Sequence, residues 1–121
     1  MSSMETRFKN LKRLYASIKE ITEKLLDDFS DENLNRSLSE RTVLLEQVKL
    51  EEDALAGSRE SFNQECRSLK NEIKMLILSI NQLDKETELK IKAGMEQVRS
   101  EMSKLSSKSN AALAYSAHRR S

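Results

Sequence analysis

The chain is poor in the residues that interrupt helices. Its 121 residues include no proline, no tryptophan and two glycines, Gly57 and Gly94. Because proline and glycine are the two residues most unfavourable inside helices, long uninterrupted helices are expected. Aromatic residues make up 4% of the chain and charged residues 34%, which leaves little apolar material for a thick core. The composition predicts an all-α chain of elongated helices that share a thin apolar seam.

Catalytic and metal sites lack their usual side chains, because the chain contains one cysteine and one histidine. Cys66 occupies an apolar seam position, where a lone cysteine is usually a small buried hydrophobe. His118 has no second histidine or cysteine at ligand spacing. The chain also has no glycine-rich phosphate loop. We therefore expect no enzymatic activity, no catalytic residues, no metal site and no cofactor.

Long apolar runs are missing as well. The longest, residues 75–78, is far shorter than the roughly 18 residues of a membrane span. The first ten residues include Glu5, Arg7 and Lys9 and are not followed by an apolar run, unlike a secretory signal. The net charge of +1, the alternation of acidic and basic residues and the few aromatics argue against nucleic-acid binding. A cytoplasmic protein without a membrane span is expected.

Apolar residues at alternating spacings of four and three predict three helices. Helix 1 is expected over about residues 3–29 and helix 2 over about 32–56, with Ser30 or Asp31 as the N-cap of helix 2. The predicted seam of helix 2 consists of Leu34, Leu38, Leu45, Val48 and Leu55, with Leu44 beside it.

Two charged residues, Arg41 and Glu52, interrupt the predicted seam of helix 2. One interpretation places both at the margin of the seam with their charged ends in water, and the other makes Arg41 a specificity element. Gly57 suits the left-handed conformation of a helix C-cap, and Ser58 or Ser61 is a candidate cap of helix 3. The two short turns predict helices that run up, down and up.

Helix 3 is predicted over about residues 59–105, and its apolar stripe changes phase partway along. Continuing the four-three spacing after Leu83 reaches Thr87 and Gly94, whereas the next apolar residues are shifted by one position. Helices 1 and 2, each of about 25 residues, can cover helix 3 only to about Leu83 or Lys85. The prediction is an elongated antiparallel three-helix bundle or coiled coil whose long last helix overhangs the first two. The first stripe contains Phe62, Cys66, Leu69, Ile73, Leu76, Ile80 and Leu83, and the second contains Ile91, Met95, Val98, Met102 and Leu105.

The second stripe is the predicted partner-binding surface, because five large apolar residues without cover favour a partner. Residues 106–121 begin with serines and continue with alanines, which predicts a hinge followed by a short mobile helix. This tail has no acidic residue and is therefore basic. It either has no role or is a detachable cover for the stripe, in which case its two bulky apolar residues, Leu113 and Tyr115, belong to the binding surface.

Residues 34–48, with the sequence LNRSLSERTVLLEQV, resemble the second-helix signature of bacterial flagellar export chaperones of the FlgN and FliT type. In that signature a leucine is followed by Glu-Arg and then by paired aliphatic residues, which correspond here to Leu38, Glu40-Arg41 and Leu44-Leu45. The chain length, the long last helix and the tail at residues 112–115 are similar too. The resemblance therefore covers the architecture of most of the chain, and its specific part is about fifteen residues.

The resemblance implies a cytosolic chaperone for a late flagellar axial protein, either a hook–filament junction protein or the filament cap protein. Such a chaperone binds the C-terminal helical region of its client, prevents premature assembly and delivers the client to the type III export apparatus. A client helix would lie on an apolar stripe, for which the adaptable side chains of Met95 and Met102 are suitable. In the cap-protein chaperones a C-terminal helix partly covers the client groove, and this maps to the region after Ser106. The alternative is a structural coiled-coil subunit that forms a homodimer or scaffolds a larger assembly through the same stripe.

Overall fold

The protein is all-helical in the computed structural model, which describes the backbone of residues 3–58 and 62–120 and the side chains of residues 3–58 and 62–104. Three helices follow one another: α1 (Ser3–Asp27), α2 (Asp31–Ala56) and α3 (Gln64–Arg120). The chain divides into two compact units, Met1–Thr87 (unit 1) and Glu88–Ser121 (unit 2). None of the helices, within the described residues, combines the length and hydropathy that crossing a membrane needs.

The turn between α1 and α2 is held by side chains that cap the second helix. Of the two candidate caps, Ser30 occupies the N-cap position, with an extended backbone, and its Oγ accepts a hydrogen bond from the Asn33 amide at 3.0 Å. The Asn33 side-chain amide donates to the Asp28 carbonyl oxygen at 2.8 Å. Helix α1 thus ends at Asp27, two residues earlier than the pattern predicts, because these bonds hold the following residues in a turn.

The end of α2 differs from the prediction in its backbone conformation. Gly57 is the C-cap, but its φ of −85° and ψ of −6° are right-handed, so the predicted left-handed cap is wrong. Its amide donates to the Asp53 and Leu55 carbonyls, which continues the helical bonding by one residue. A Cβ added at Gly57 would meet only ordinary contacts at 3.7 Å and 3.9 Å. The position therefore does not require glycine for its conformation.

Helix α3 begins at Gln64, with Asn63 in the capping role that the sequence analysis gave to Ser58 or Ser61. The Asn63 Oδ1 accepts a hydrogen bond from the Cys66 amide at 2.8 Å, as an N-cap residue does. The predicted start at residue 59 and the candidate Ser61 lie outside the described residues. The Asn63 side-chain amide also donates to the Glu5 carboxylate at 2.8 Å, which joins the start of α3 to the start of α1.

Helix α3 does not end near residue 105 but continues to Arg120. The serines at residues 106–109 predicted a hinge, yet the helix passes through them without a break. Their helix propensity is only modestly below that of alanine, and alanines at residues 111, 112, 114 and 117 favour the helix that follows. Gly94 is likewise inside the helix.

Unit 1 is an antiparallel three-helix bundle with the predicted up-down-up order. Arg7, near the start of α1, pairs with Glu51, near the end of α2, at 3.1 Å, so these two helices are antiparallel. Lys12 of α1 pairs with Glu72 of α3 at 3.0 Å, which fits a parallel arrangement of α1 and α3. The core cluster draws on all three helices and contains Leu11, Leu14, Ile18, Val48, Ile73 and Ile80.

The first stripe of α3 is buried in unit 1 much as its spacing predicts. Cys66, Leu69, Ile73 and Ile80 are buried, and Thr87 continues the same four-three spacing as the last buried side chain among the described residues of α3. The covered part of the helix therefore ends within one turn of the predicted limit. The Thr87 hydroxyl donates to the Leu83 carbonyl oxygen at 2.9 Å, which satisfies this polar group inside the helix.

The predicted seam of α2 is wrong in register. Leu38 is 50% exposed and Leu45 46%, while Ser37 and Val48 are buried. Polar residues are accepted in the buried face because they find partners: the Glu51 carboxylate receives hydrogen bonds from Arg7 and Asn10 of α1. The face of α2 that is buried or half-buried consists of Leu34, Ser37, Arg41, Leu44, Val48, Glu51 and Leu55.

Candidate partner-binding surface

The second stripe of α3 is exposed along unit 2. Met95 and Val98 are each 53% exposed and Met102 is 63% exposed, whereas Ile91 is half-buried. Because these residues recur at spacings of four and three on one helix, they lie on one face. The side chains of the other predicted members, Leu105, Leu113 and Tyr115, lie outside the described residues. The described part of the surface is thus a four-residue apolar stripe, defined as the Met95 stripe: Ile91, Met95, Val98 and Met102.

Gly94 adds a feature to the Met95 stripe that the apolar pattern alone does not contain. It lies three residues after Ile91 and four before Val98, so it borders both on the helix surface. A Cβ built at Gly94 would have no heavy atom within 4 Å. The missing side chain therefore leaves a shallow notch through which a partner can approach the helix backbone closely.

Charged side chains of both signs accompany the Met95 stripe. Lys92, Glu96, Arg99 and Glu101 are all exposed on the same helical segment. Because the signs alternate, this segment has no strong electrostatic preference for an acidic or a basic partner. The arrangement can provide apolar contacts for one face of another helix.

Arg41 points to α3 and does not form part of a free surface. Its two terminal nitrogens donate to the two carboxylate oxygens of Asp84 at 2.7 Å and 3.1 Å. The side chains of Arg41 and Asp84 are 20% and 36% exposed. The geometry is that of a bidentate ion pair, which stabilises one relative position of α2 and α3. The interpretation that Arg41 extends its charge into water is therefore wrong, and its described partner lies within the bundle.

Asp84 was missed by sequence reasoning, although the antiparallel order of α2 and α3 contained a signal. Starting from the turn at Gly57, positions 41 and 84 lie at comparable distances along the two helices. An acidic residue on α3 at the level of Arg41 could have been sought on this basis. The search needs the length of the connection between α2 and α3, which the helix boundaries supply only approximately.

Tyr15 forms another polar contact between helices. Its hydroxyl donates to the Glu52 carboxylate at 3.2 Å. Partial burial raises the pKa of the Tyr15 hydroxyl above its ordinary value of 10.0, and the negative charge and hydrogen bond of Glu52 raise it further. Glu52 itself is exposed, as the interpretation of a marginal charge with its end in water predicted.

The two residues considered for catalysis offer no assembled centre in the described part of the chain. Cys66 is fully buried in the seam. His118 lies outside the residues whose side chains are described. No three histidine, cysteine, aspartate or glutamate side chains among the described residues are grouped as metal ligands.

A second apolar surface, on unit 1, was also missed. A groove of about 750 Å³ has three cationic side chains along a largely apolar lining. The available signal was the spacing of Arg67, Lys70 and Lys74, which lie on one side of α3 next to Ile77 and Leu78. We call it the α3 groove and define it by its lining residues, which are Phe62, Arg67, Lys70, Asn71, Ile73, Lys74, Ile77 and Leu78.

Comparison of the chain with protein-family models, with curated proteins and with solved structures gives no match. The residues and their geometry therefore have to support any functional proposal.

Proposed function

We propose that this protein is a cytoplasmic export chaperone that binds a helix of a flagellar axial protein on the Met95 stripe. The observation that carries the proposal is the exposure of Met95, Val98 and Met102 on one face of α3. Large apolar side chains exposed in a row favour a partner that removes them from water. A helix is the partner that fits, because anchors spaced by three and four residues match the face of a second helix.

The length of the stripe favours a client over a permanent coiled-coil partner. Residues 91–105 contain two heptads, whereas a self-sufficient coiled coil is expected to need at least three or four. Methionine occupies two of the positions at which stable coiled coils prefer leucine or isoleucine. Its flexible side chain adapts to different surfaces, which suits a reversible contact.

The identity of the client rests on the resemblance of residues 34–48 to the FlgN and FliT type of chaperone. We propose that the client helix comes from the C-terminal region of a hook–filament junction protein or of the filament cap protein. Binding there would prevent premature assembly until the export apparatus receives the client. The cytoplasmic location follows from this role, because the client must be bound before export.

The proposal is tested with peptides from the C-terminal helical regions of these two classes of axial protein, by isothermal titration calorimetry. Val98→Asp/Met102→Asp should weaken binding at least about a hundredfold, because it places two charges in an apolar contact. The matched control is Gln97→Asp/Ser100→Asp, which adds the same charge to exposed positions outside the stripe. Its affinity should stay within about twofold. Equal affinity of both double variants would reject the assignment of the site.

A structural coiled-coil subunit is the alternative, because the same four-three spacing also suits pairing with a second copy. Light scattering coupled to size-exclusion chromatography separates the two functions. A monomer that forms a one-to-one complex with a client peptide supports the chaperone. A dimer that dissociates when Val98 and Met102 are replaced by aspartate, and that binds no client peptide, supports the structural subunit.

A further inference from the structure

We infer that the α3 groove is a docking site for an acidic amphipathic helix of another protein. This inference concerns unit 1 and does not depend on the proposed chaperone function or on the Met95 stripe. It rests on the shape of the groove, on the charges along it and on the exclusion of other occupants.

The shape of the α3 groove suits the apolar face of a helix. Ile73 is buried and Ile77 packs against the core, so both form a fixed apolar base. Phe62 and Leu78 are about half exposed and provide apolar side chains that a partner can cover. Helix-in-groove recognition uses such a concave apolar surface, with anchors from successive turns of the partner.

The charges along the α3 groove are all positive. Arg67, Lys70 and Lys74 line it, and none of them forms an ion pair with another described residue. The charged ends of Arg67 and Lys70 lie 6.0 Å and 5.6 Å from the centre of the Phe62 ring. These distances allow cation–π contacts that hold the two cations beside the apolar surface.

The cations of the α3 groove differ from those between the helices. Arg7, Lys12 and Arg41 each pair with a carboxylate on another helix of the bundle. The groove, in contrast, combines apolar surface with three cations that have no carboxylate among the described residues. A partner with an apolar stripe bordered by glutamate or aspartate would complement both properties.

Two other occupants fit less well. The chain's own tail has no acidic residue after Glu101 and includes Lys104, Lys108, Arg119 and Arg120, so its charge opposes that of the groove. An anionic membrane would need to reach the apolar base formed by Ile73 and Ile77, which lies inside a concave surface. A flat bilayer contacts protruding apolar side chains more readily than a groove.

The test uses the full chain and two fluorescent helical peptides of 18 residues. Both peptides carry leucines at spacings of three and four, bordered by glutamates in the first peptide and by lysines in the second. Fluorescence anisotropy should show binding of the acidic peptide at least about tenfold tighter than that of the basic peptide. The affinity for the acidic peptide should fall as the salt concentration rises, because exposed charges contribute to it.

Two variants locate the contact. Arg67→Glu/Lys70→Glu/Lys74→Glu should weaken acidic-peptide binding roughly tenfold or more, since it reverses every cation of the groove. The control Lys9→Glu/Lys24→Glu/Lys49→Glu changes the net charge equally at exposed lysines outside the groove and should change affinity by less than about threefold. Leu78→Ser should also weaken binding, and circular dichroism should show all variants folded.

Several outcomes would overturn the inference: equal binding of both peptides, equal losses in the groove and control variants, or unchanged binding in Leu78→Ser. Two others would assign the groove elsewhere and also reject it. One is binding to vesicles of anionic lipid without acidic-peptide binding, and the other is self-association that the groove variant abolishes. Val98→Asp/Met102→Asp should bind the acidic peptide normally, which separates this inference from the proposed function.

Discussion

The two stripes of α3 have the same spacing and opposite environments. In unit 1 the spacing of four and three places Cys66, Ile73 and Ile80 in a buried seam. In unit 2 the same spacing places Met95, Val98 and Met102 at the surface. The periodicity of a helix determines which residues share a face, but not whether another element covers that face. Coverage depends on the lengths of α1 and α2, whose 25 and 26 residues limit the bundle.

The composition of the stripes follows this difference. The core of unit 1 is dominated by branched aliphatic residues such as Leu11, Ile18 and Ile73, which have restricted rotamers and pack closely. The Met95 stripe includes two methionines and a glycine at its edge, which are adaptable or small. A permanent core and a reversible contact surface place different demands on side chains, and the two halves of one helix differ accordingly.

The strongest test of this comparison replaces one apolar residue in each unit. Ile18→Ala, at a side chain that is 1% exposed, should lower the free energy of unfolding by about 3 kcal/mol because it leaves a cavity in the core. Val98→Ala, at a side chain that is 53% exposed, should change it by less than about 0.5 kcal/mol. Urea denaturation followed by circular dichroism measures both values. A cost for Val98→Ala above about 1.5 kcal/mol would show that the stripe is already packed in the free protein.

A smaller effect is expected from the ion pair that links α2 to α3. A double-mutant cycle on Arg41→Ala and Asp84→Ala should give a coupling of about 1 kcal/mol, because the pair is bidentate and partly buried. The control cycle uses Lys12 and Glu72, whose side chains are 45% and 52% exposed. Its coupling should be about 0.3 kcal/mol. Equal couplings in the two cycles would deny Arg41 a special role in positioning the helices.

The smallest effect concerns the pH dependence of unit 1. The pKa of Tyr15 is raised in the folded chain, so the neutral hydroxyl is favoured there. The resulting stabilisation is fully present below the unfolded pKa, near 10, and is lost as the pH rises through the higher folded pKa. Tyr15→Phe should therefore lose less stability than the parent chain between pH 9 and 11. Thermal unfolding at several pH values checks this, and identical slopes for the two proteins would contradict it.

Much of the fold was predictable because it depends on local signals. The absence of proline, the Ser30 cap and the four-three spacing are all properties of short segments, and they place α1, α2 and the start of the uncovered region close to where they occur. The end of α3 was not predictable in the same way. Serine lowers helix propensity only slightly, so residues 106–109 alone do not decide whether a helix stops.

The candidate surface was predictable in part. Periodicity identified Met95, Val98 and Met102, and their exposure agrees with the expectation of an uncovered stripe. The α3 groove was not identified, because its apolar residues belong partly to the buried seam and partly to its flank. Whether such a flank is open depends on the neighbouring helices, and a single-helix pattern does not contain that information.

The sequence by itself determined that this chain is helical, where its first two helices begin and end within a few residues, and which side chains of α3 share a face. Only the tertiary structure decided which face of α2 is buried. The leucine pattern pointed to Leu38 and Leu45, but the bundle buries the face that carries Arg41 and Glu51. The physical reason is that a polar residue is acceptable in a seam when a partner on another helix satisfies it, as Asp84 and Arg7 do here. Such partners become neighbours only after the helices have packed.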